Sequence, residues 1–123
     1  MSKRVLIVDD AAFMREMLRD ILADGGYEVA GEAADGEQAV AMYSDLQPDV
    51  TTLDIVMPRK SGLEALREIR SNDPNARIVM CSALGQEAMV MEALEAGAKD
   101  FIVKPFKPDQ ALAVIEKVLD KQD

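Results

Sequence analysis

Lys3-Arg-Val-Leu-Ile-Val-Asp-Asp10 decides the fold: an unbroken apolar run, Val5 to Val8, ends in two adjacent carboxylates. A continuous run of this length reads as a strand buried on both faces of a parallel sheet, because a strand with one wet face would alternate apolar and polar residues. The same signature returns in Val50 to Leu53, Ile78 to Cys81 and Phe101 to Val103, and Tyr27 to Glu32 reads as the remaining strand. Between these runs the period changes. Phe13, Met14, Met17, Leu18, Ile21 and Leu22 recur at three and four residues, and Gly25-Gly26 supplies a C-terminal cap. Further helices are predicted over 36–46, ended by Gln47-Pro48; over 62–70, before Asn72-Asp-Pro74; over 86–96, capped by Gly97; and over 108–119, with Pro108 in the first turn.

Five strand-helix units in alternation predict an α/β fold: a five-stranded parallel sheet, doubly wound through right-handed crossovers, with five helices covering both faces. At 123 residues the chain is expected to form one domain spanning 1–123. It has no apolar stretch of membrane-spanning length and no basic, small-residue-terminated leader, which predicts a cytoplasmic protein without membrane insertion. Its net charge of -9 argues against nucleic acid and anionic lipid as partners, since both are bound through Lys and Arg. There is no histidine, which removes Ser-His-Asp and Cys-His catalysis and any phosphohistidine on this chain. The lone Cys81 lies in an apolar run and reads as a buried, inert thiol.

In an open parallel sheet, ligands bind in the crevice at the carboxyl ends of the strands. Asp9 and Asp10 end the first run and Asp54 ends Val50-Thr-Thr-Leu53, so the three carboxylates should converge there. Converging carboxylates raise one another's pKa unless a cation neutralises them, and oxygen ligands without His or Cys suit Mg2+. Lys104 follows Phe101 to Val103 and precedes Pro105, which favours an extended conformation, and Ser82 follows Ile78 to Cys81. Metal ligands, a nucleophile and donors for phosphoryl oxygens are what phosphoryl transfer to a carboxylate requires, and Asp54 is read as the nucleophile. Asp9 also precedes a helix and could cap it. Most methionines on apolar faces read as core filler, and Met89 and Met91 are candidates for an adaptable partner surface.

Four segments carry a resemblance: Val8-Asp-Asp-Ala-Ala-Phe-Met-Arg15, Leu53-Asp-Ile-Val-Met-Pro58 with Gly62, Cys81-Ser-Ala-Leu-Gly-Gln86, and Gly97-Ala-Lys-Asp-Phe-Ile-Val-Lys-Pro-Phe106. Over essentially its whole length the chain resembles the single-domain response regulator receivers of two-component systems, most of all those of chemotaxis, whose sheet is flavodoxin-like. The resemblance implies that Asp54 accepts a phosphoryl group from the phosphohistidine of a sensor histidine kinase of the CheA type. It implies that Asp10, Asp54 and the Val56 backbone carbonyl ligate Mg2+, with Asp9 acting through water, and that Ser82 and Lys104 hold phosphoryl oxygens. It further implies a cis Lys104-Pro105 bond and a switch in which Ser82 and Phe101 couple phosphate to the face of the fourth helix, fifth strand and fifth helix. Phe101 lacks the hydroxyl of the tyrosine often found there in chemotaxis receivers, which leaves rotation of an apolar ring. The implied partners are the kinase, a flagellar motor switch or an archaeal adaptor protein, and a phosphatase.

Two side chains depart from some relatives. Val56 and Leu84 are apolar where polar residues orient the hydrolytic water, so a long-lived acyl phosphate is expected. The weighed alternatives are a phosphorelay intermediate, a phosphorylation-independent scaffold and a haloacid dehalogenase-type phosphatase. The last wants an acid two residues after the nucleophile, where this chain has Val56. Nucleotide binding is disfavoured, because Gly-x-Gly-x-x-Gly and Gly-x-x-x-x-Gly-Lys are both missing.

Overall fold

Strand and helix alternate along the chain in a computed structural model that describes residues 2–120. The elements are β1 (Arg4–Val8), α1 (Ala12–Asp24), β2 (Glu28–Ala33), α2 (Gly36–Leu46), β3 (Val50–Asp54), α3 (Gly62–Asn72), β4 (Ile78–Ser82), α4 (Glu87–Glu95), β5 (Asp100–Val103) and α5 (Pro108–Asp120). All five strands are parallel, in the order β2-β1-β3-β4-β5. The doubly wound sheet expected from the alternation is therefore the observed one. β3 and β4 are buried along their whole length and β1 from Val5 onward, which is why their sequences are continuous rather than alternating.

Two apolar clusters hold the helices to the sheet, and the pleat divides the strand residues between them. Leu6, Val8, Leu53, Ile78 and Met80 face a cluster with Ala39 and Tyr43 of α2, Leu66 and Ile69 of α3, and Val90 and Ala93 of α4. Val5, Ile7, Val50, Val79 and Ile102 face the opposite cluster, with Leu18 and Leu22 of α1 and Ala111, Ile115 and Val118 of α5. Met14, Met57 and Met80 are buried as filler, whereas Met17, Met89 and Met91 are exposed.

Local chemistry fixes the helix ends near the strand tips. The Asp35 side chain accepts from the Gln38 amide at the start of α2, and Ser61 and Glu64 form a reciprocal capping box at the start of α3. Gly26, at φ 88°, closes α1 in the left-handed conformation that glycine adopts without strain. Several boundaries differ from the sequence reading, most by one residue. β2 starts at Glu28 rather than Tyr27, α3 continues to Asn72, and α4 starts at Glu87 because Gln86 is non-helical and its side chain accepts from the Ala83 amide.

Candidate metal and phosphate site

Winding reverses between β1 and β3, the two neighbouring strands from which the chain runs outward in opposite directions. That is the switch point at which an open sheet leaves a crevice at its carboxyl edge. Asp9 and Asp10 follow β1, Asp54 is the last residue of β3, Ser82 the last of β4, and Lys104 directly follows β5. One carboxylate oxygen from each of Asp9, Asp10 and Asp54 lies within 4.8 Å of the others. Asp9 and Asp54 are buried and Asp10 is exposed, so the cluster has a closed floor and an open mouth.

Lys104 reaches across the floor. Its Nζ donates to Asp9 Oδ2 at 2.8 Å and stands 3.4 Å from Asp54 Oδ1. Its own amide donates to the Ser82 carbonyl at 2.7 Å, which fixes the end of β5 against the end of β4, and the Lys104-Pro105 peptide is cis. Burial pushes the Asp54 carboxyl up to about 6; the nearby Lys104 ammonium opposes this, and the charges of Asp9 and Asp10 add to it. For Lys104, burial works against the charged form, but the hydrogen bond to Asp9 and the charges of Asp54 and Asp9 outweigh it and raise the ammonium pKa. Cys81, beneath the site, has its thiol pushed up to about 12 by burial, which suits an inert core residue.

Asp9 has a partner at each of its polar atoms. Its amide donates to the Ala33 carbonyl at 3.1 Å, and its carbonyl accepts from Arg15 Nη1 at 2.5 Å. Oδ1 accepts from the Ala11 amide at 2.9 Å, while Oδ2 takes Lys104. Asp9 does not cap α1, whose N-cap is Ala11 without a side-chain partner; its Oδ1 instead closes a two-residue turn onto the Ala11 amide ahead of the helix, while Oδ2 faces the crevice. Asp10 carries the exposed, outward carboxylate. Three carboxylates facing one ammonium leave excess negative charge on an all-oxygen donor set, and this composition fits a hard divalent cation such as Mg2+.

The remaining predicted residues surround this floor. Ser82 is buried, and the exposed Val56 lies in the loop after β3. Phe101 borders an apolar groove of about 300 Å3 between β5 and α4, lined also by Ser82, Leu84, Val90 and Met91. Ser82, at the carboxyl end of β4, also lines the groove beside Phe101. Two contributions escaped sequence reading. Arg15 grips the Asp9 carbonyl, and Gly62 lets the first turn of α3 approach the Asp54 carbonyl, where a Cβ would stand 1.9 Å from that oxygen. Gly62 belongs to the segments that carry the resemblance and follows a serine with cap chemistry, but neither fact shows its contact with the Asp54 carbonyl.

Among known proteins, the model of the response regulator receiver domain matches residues 5–116. The chain is 60% identical to the chemotaxis protein CheY of Thermotoga maritima over 118 residues, covering 96% of this chain and 98% of that one. It is 56% identical to CheY of Bacillus subtilis over 120 residues, covering 98% and 100%. Its structure superposes on a chain of the CheX-CheY-BeF3-Mg+2 complex from Borrelia burgdorferi with a TM-score of 0.92 at 42% identity, covering 97% of this chain and 90% of that one. A doubly wound sheet, an acidic crevice at its switch point and these similarities agree: the chain belongs to the response regulator receiver domain family.

Proposed function

We propose that this protein is a phosphorylation-controlled chemotaxis signalling protein in which Asp54 is the phosphoacceptor. The observation that carries the reading is the pairing of a buried carboxylate with an ammonium 3.4 Å away, inside a triad of carboxylates that share one small volume. In the transfer, an Asp54 oxygen attacks phosphorus, the P–N bond to the donor histidine breaks, and the imidazole leaves with its electron pair. Asp10, Asp54 and the Val56 carbonyl would hold Mg2+, with Asp9 contributing through a water. When bound, Mg2+ neutralises the charge on the transferring phosphoryl oxygens. Lys104 and Ser82 donate to those oxygens once they sit on Asp54.

The result is a population shift rather than turnover of a substrate. Drawing Ser82 toward the phosphoryl group opens room at the head of the groove, and the Phe101 ring turns in, which changes the face of α4, β5 and α5. The relatives named CheY support a kinase of the CheA type and a motility target, a flagellar motor switch or an archaeal adaptor, with a phosphatase resetting the signal. The protein acts in the cytoplasm, where such a kinase would meet it. Among the described residues no helix is long and apolar enough to cross a membrane.

Incubation with acetyl phosphate tests the assignment by intact mass. The wild type should gain one phosphoryl group only with Mg2+, and Asp54→Asn should gain none. Absence of an adduct, together with absence of beryllofluoride binding, would overturn the reading. Val56 and Leu84, 53% and 80% exposed, offer no hydrogen bond to water at the mouth. Val56→Asn with Leu84→Glu is expected to shorten the acyl phosphate lifetime on the order of tenfold by orienting the attacking water. A decay time equal to the wild type's would refute that role for the two positions.

A further inference from the structure

We propose that Arg15 is a positioning residue for the cation site, acting through the peptide between Asp9 and Asp10; the proposal rests on the metal reading above. The Arg15 guanidinium is held between two anchors. Nη1 donates to the Asp9 carbonyl at 2.5 Å, and Nε lies 3.6 Å from Glu32 Oε1 on β2. Glu32 is steadied in turn by Arg19, whose Nη1 donates to Oε2 at 2.8 Å. β2 is also the strand whose Ala33 carbonyl receives the Asp9 amide. A single edge strand therefore fixes both sides of Asp9, one directly and one through Arg15.

The consequence falls on Asp10. A peptide unit is planar, so the Asp9 carbonyl oxygen, the Asp10 amide and the Asp10 Cα share one plane. Gripping that oxygen sets the rotation of the plane, and with it the direction from which the Asp10 side chain leaves the backbone. Asp10 is the exposed member of the triad, whereas Asp9 is buried and is pinned at both carboxylate oxygens. Its aim toward the shared volume depends on the backbone beneath it. Arg15 supplies that aim and takes no part in ligation. Its side chain is only 20% exposed, so the bridge forms in a partly dehydrated setting where a charged hydrogen bond is strong.

Isothermal titration of the full-length protein with MgCl2 separates this role from its alternatives. Arg15→Ala should weaken Mg2+ binding about tenfold, as loss of a group that orients a ligand does. Arg15→Lys, which keeps the charge but cannot span both anchors, should weaken it similarly. Arg19→Ala, which removes a contact to Glu32 and none to Asp9, should leave the affinity near that of the wild type. Circular dichroism and the thermal midpoint establish that each variant is folded. If Arg15→Ala does not fold, Glu32→Gln, which frees one end of the bridge, should give a smaller loss in the same direction. Wild-type affinity in Arg15→Ala, or full recovery in Arg15→Lys, overturns the proposal, the second by showing that charge alone matters. A wild type that binds no Mg2+, or binds it unchanged as Asp10→Asn, defeats the metal reading instead.

Discussion

Gly62→Ala should lower the stability of the protein by ~3 kcal/mol and abolish most labelling of Asp54, the cost expected when a tight site is overpacked against backbone. The added Cβ would stand 1.9 Å from the Asp54 carbonyl oxygen and 2.8 Å from the Ile55 Cα. Neither neighbour is the tip of a flexible side chain. The Gly62 amide donates to the Ile55 carbonyl at 2.8 Å, so the first turn of α3 cannot retreat without breaking that bond. Relief must come from the end of β3, which is where Asp54 sits. Gly25→Ala is the natural comparison, because its Cβ crowds only the methyl ends of Leu112, which can rotate, and stands at an ordinary 3.4 Å from the Ile21 carbonyl oxygen. Urea unfolding followed by linear extrapolation measures both, and the midpoint and slope separate a change in stability from a change in compactness. A loss for Gly62→Ala no greater than for Gly25→Ala would show that the β3–α3 loop yields freely.

Without metal, Lys104→Met should destabilise the protein, and Asp54→Asn should stabilise it at pH 8 by an amount that fades on acidification. The sign follows from the Asp54 carboxyl, whose pKa rises from 3.8 to about 6 on folding. A raised pKa contributes stability that is fully present below the unfolded value and is lost as pH climbs through the folded one. At pH 8 the ionised Asp54 is therefore a liability, worth ~1 kcal/mol once solvent screening of a half-open crevice is allowed for. Asparagine removes that liability at pH 8 and has nothing to remove at pH 4. Lys104→Met takes away the cation bonded to the buried Asp9, a loss of ~2 kcal/mol given that the lysine is itself partly solvated. Thermal midpoints between pH 4 and pH 8 in a chelating buffer decide the matter. Asp54→Asn that is less stable than the wild type at pH 8 would contradict the electrostatics described here. Adding Mg2+ should raise the wild-type midpoint by mass action, since only the folded chain assembles the triad.

Strand cores could be read from sequence because burial on both faces writes an unbroken apolar run, and helices because one buried face writes a period near 3.6. The carboxylates were readable because each stands at the end of such a run, so topology alone brings Asp9, Asp10 and Asp54 to one rim. Periodicity says which residues share a stripe and is silent on how far the stripe is covered. Phe13 belongs to the apolar pattern of α1 and is nevertheless 71% exposed in its first turn, while Leu18 and Leu22 on the same pattern are buried. Arg15 lies in a segment that carries the resemblance yet shows no role in sequence, since its bridge from the Asp9 carbonyl to Glu32 exists only once α1 lies beside β2. The Gly62 contact depends in the same way on how closely α3 returns to β3. Gln86 reads as helical by spacing, yet its side chain satisfies the Ala83 amide and delays α4. Competition between a side chain and the backbone for one donor leaves no periodic trace.

The division of the core into two clusters has a mechanical consequence. α4 is rooted through Val90 and Ala93 in one cluster, and α5 through Ala111, Ile115 and Val118 in the other. The outward face that they share with β5 is therefore a seam between two separately packed bodies, bridged by a strand of four residues. Close packing resists deformation within each body, so motion at that face is cheapest as a slip of one body past the other. Phe101 and Ser82 both line the groove on the α4 side of this seam, from the neighbouring strands β5 and β4. A binding partner that spans α4 and α5 would read the offset between two rigid blocks, and could do so with neither helix changing its own shape.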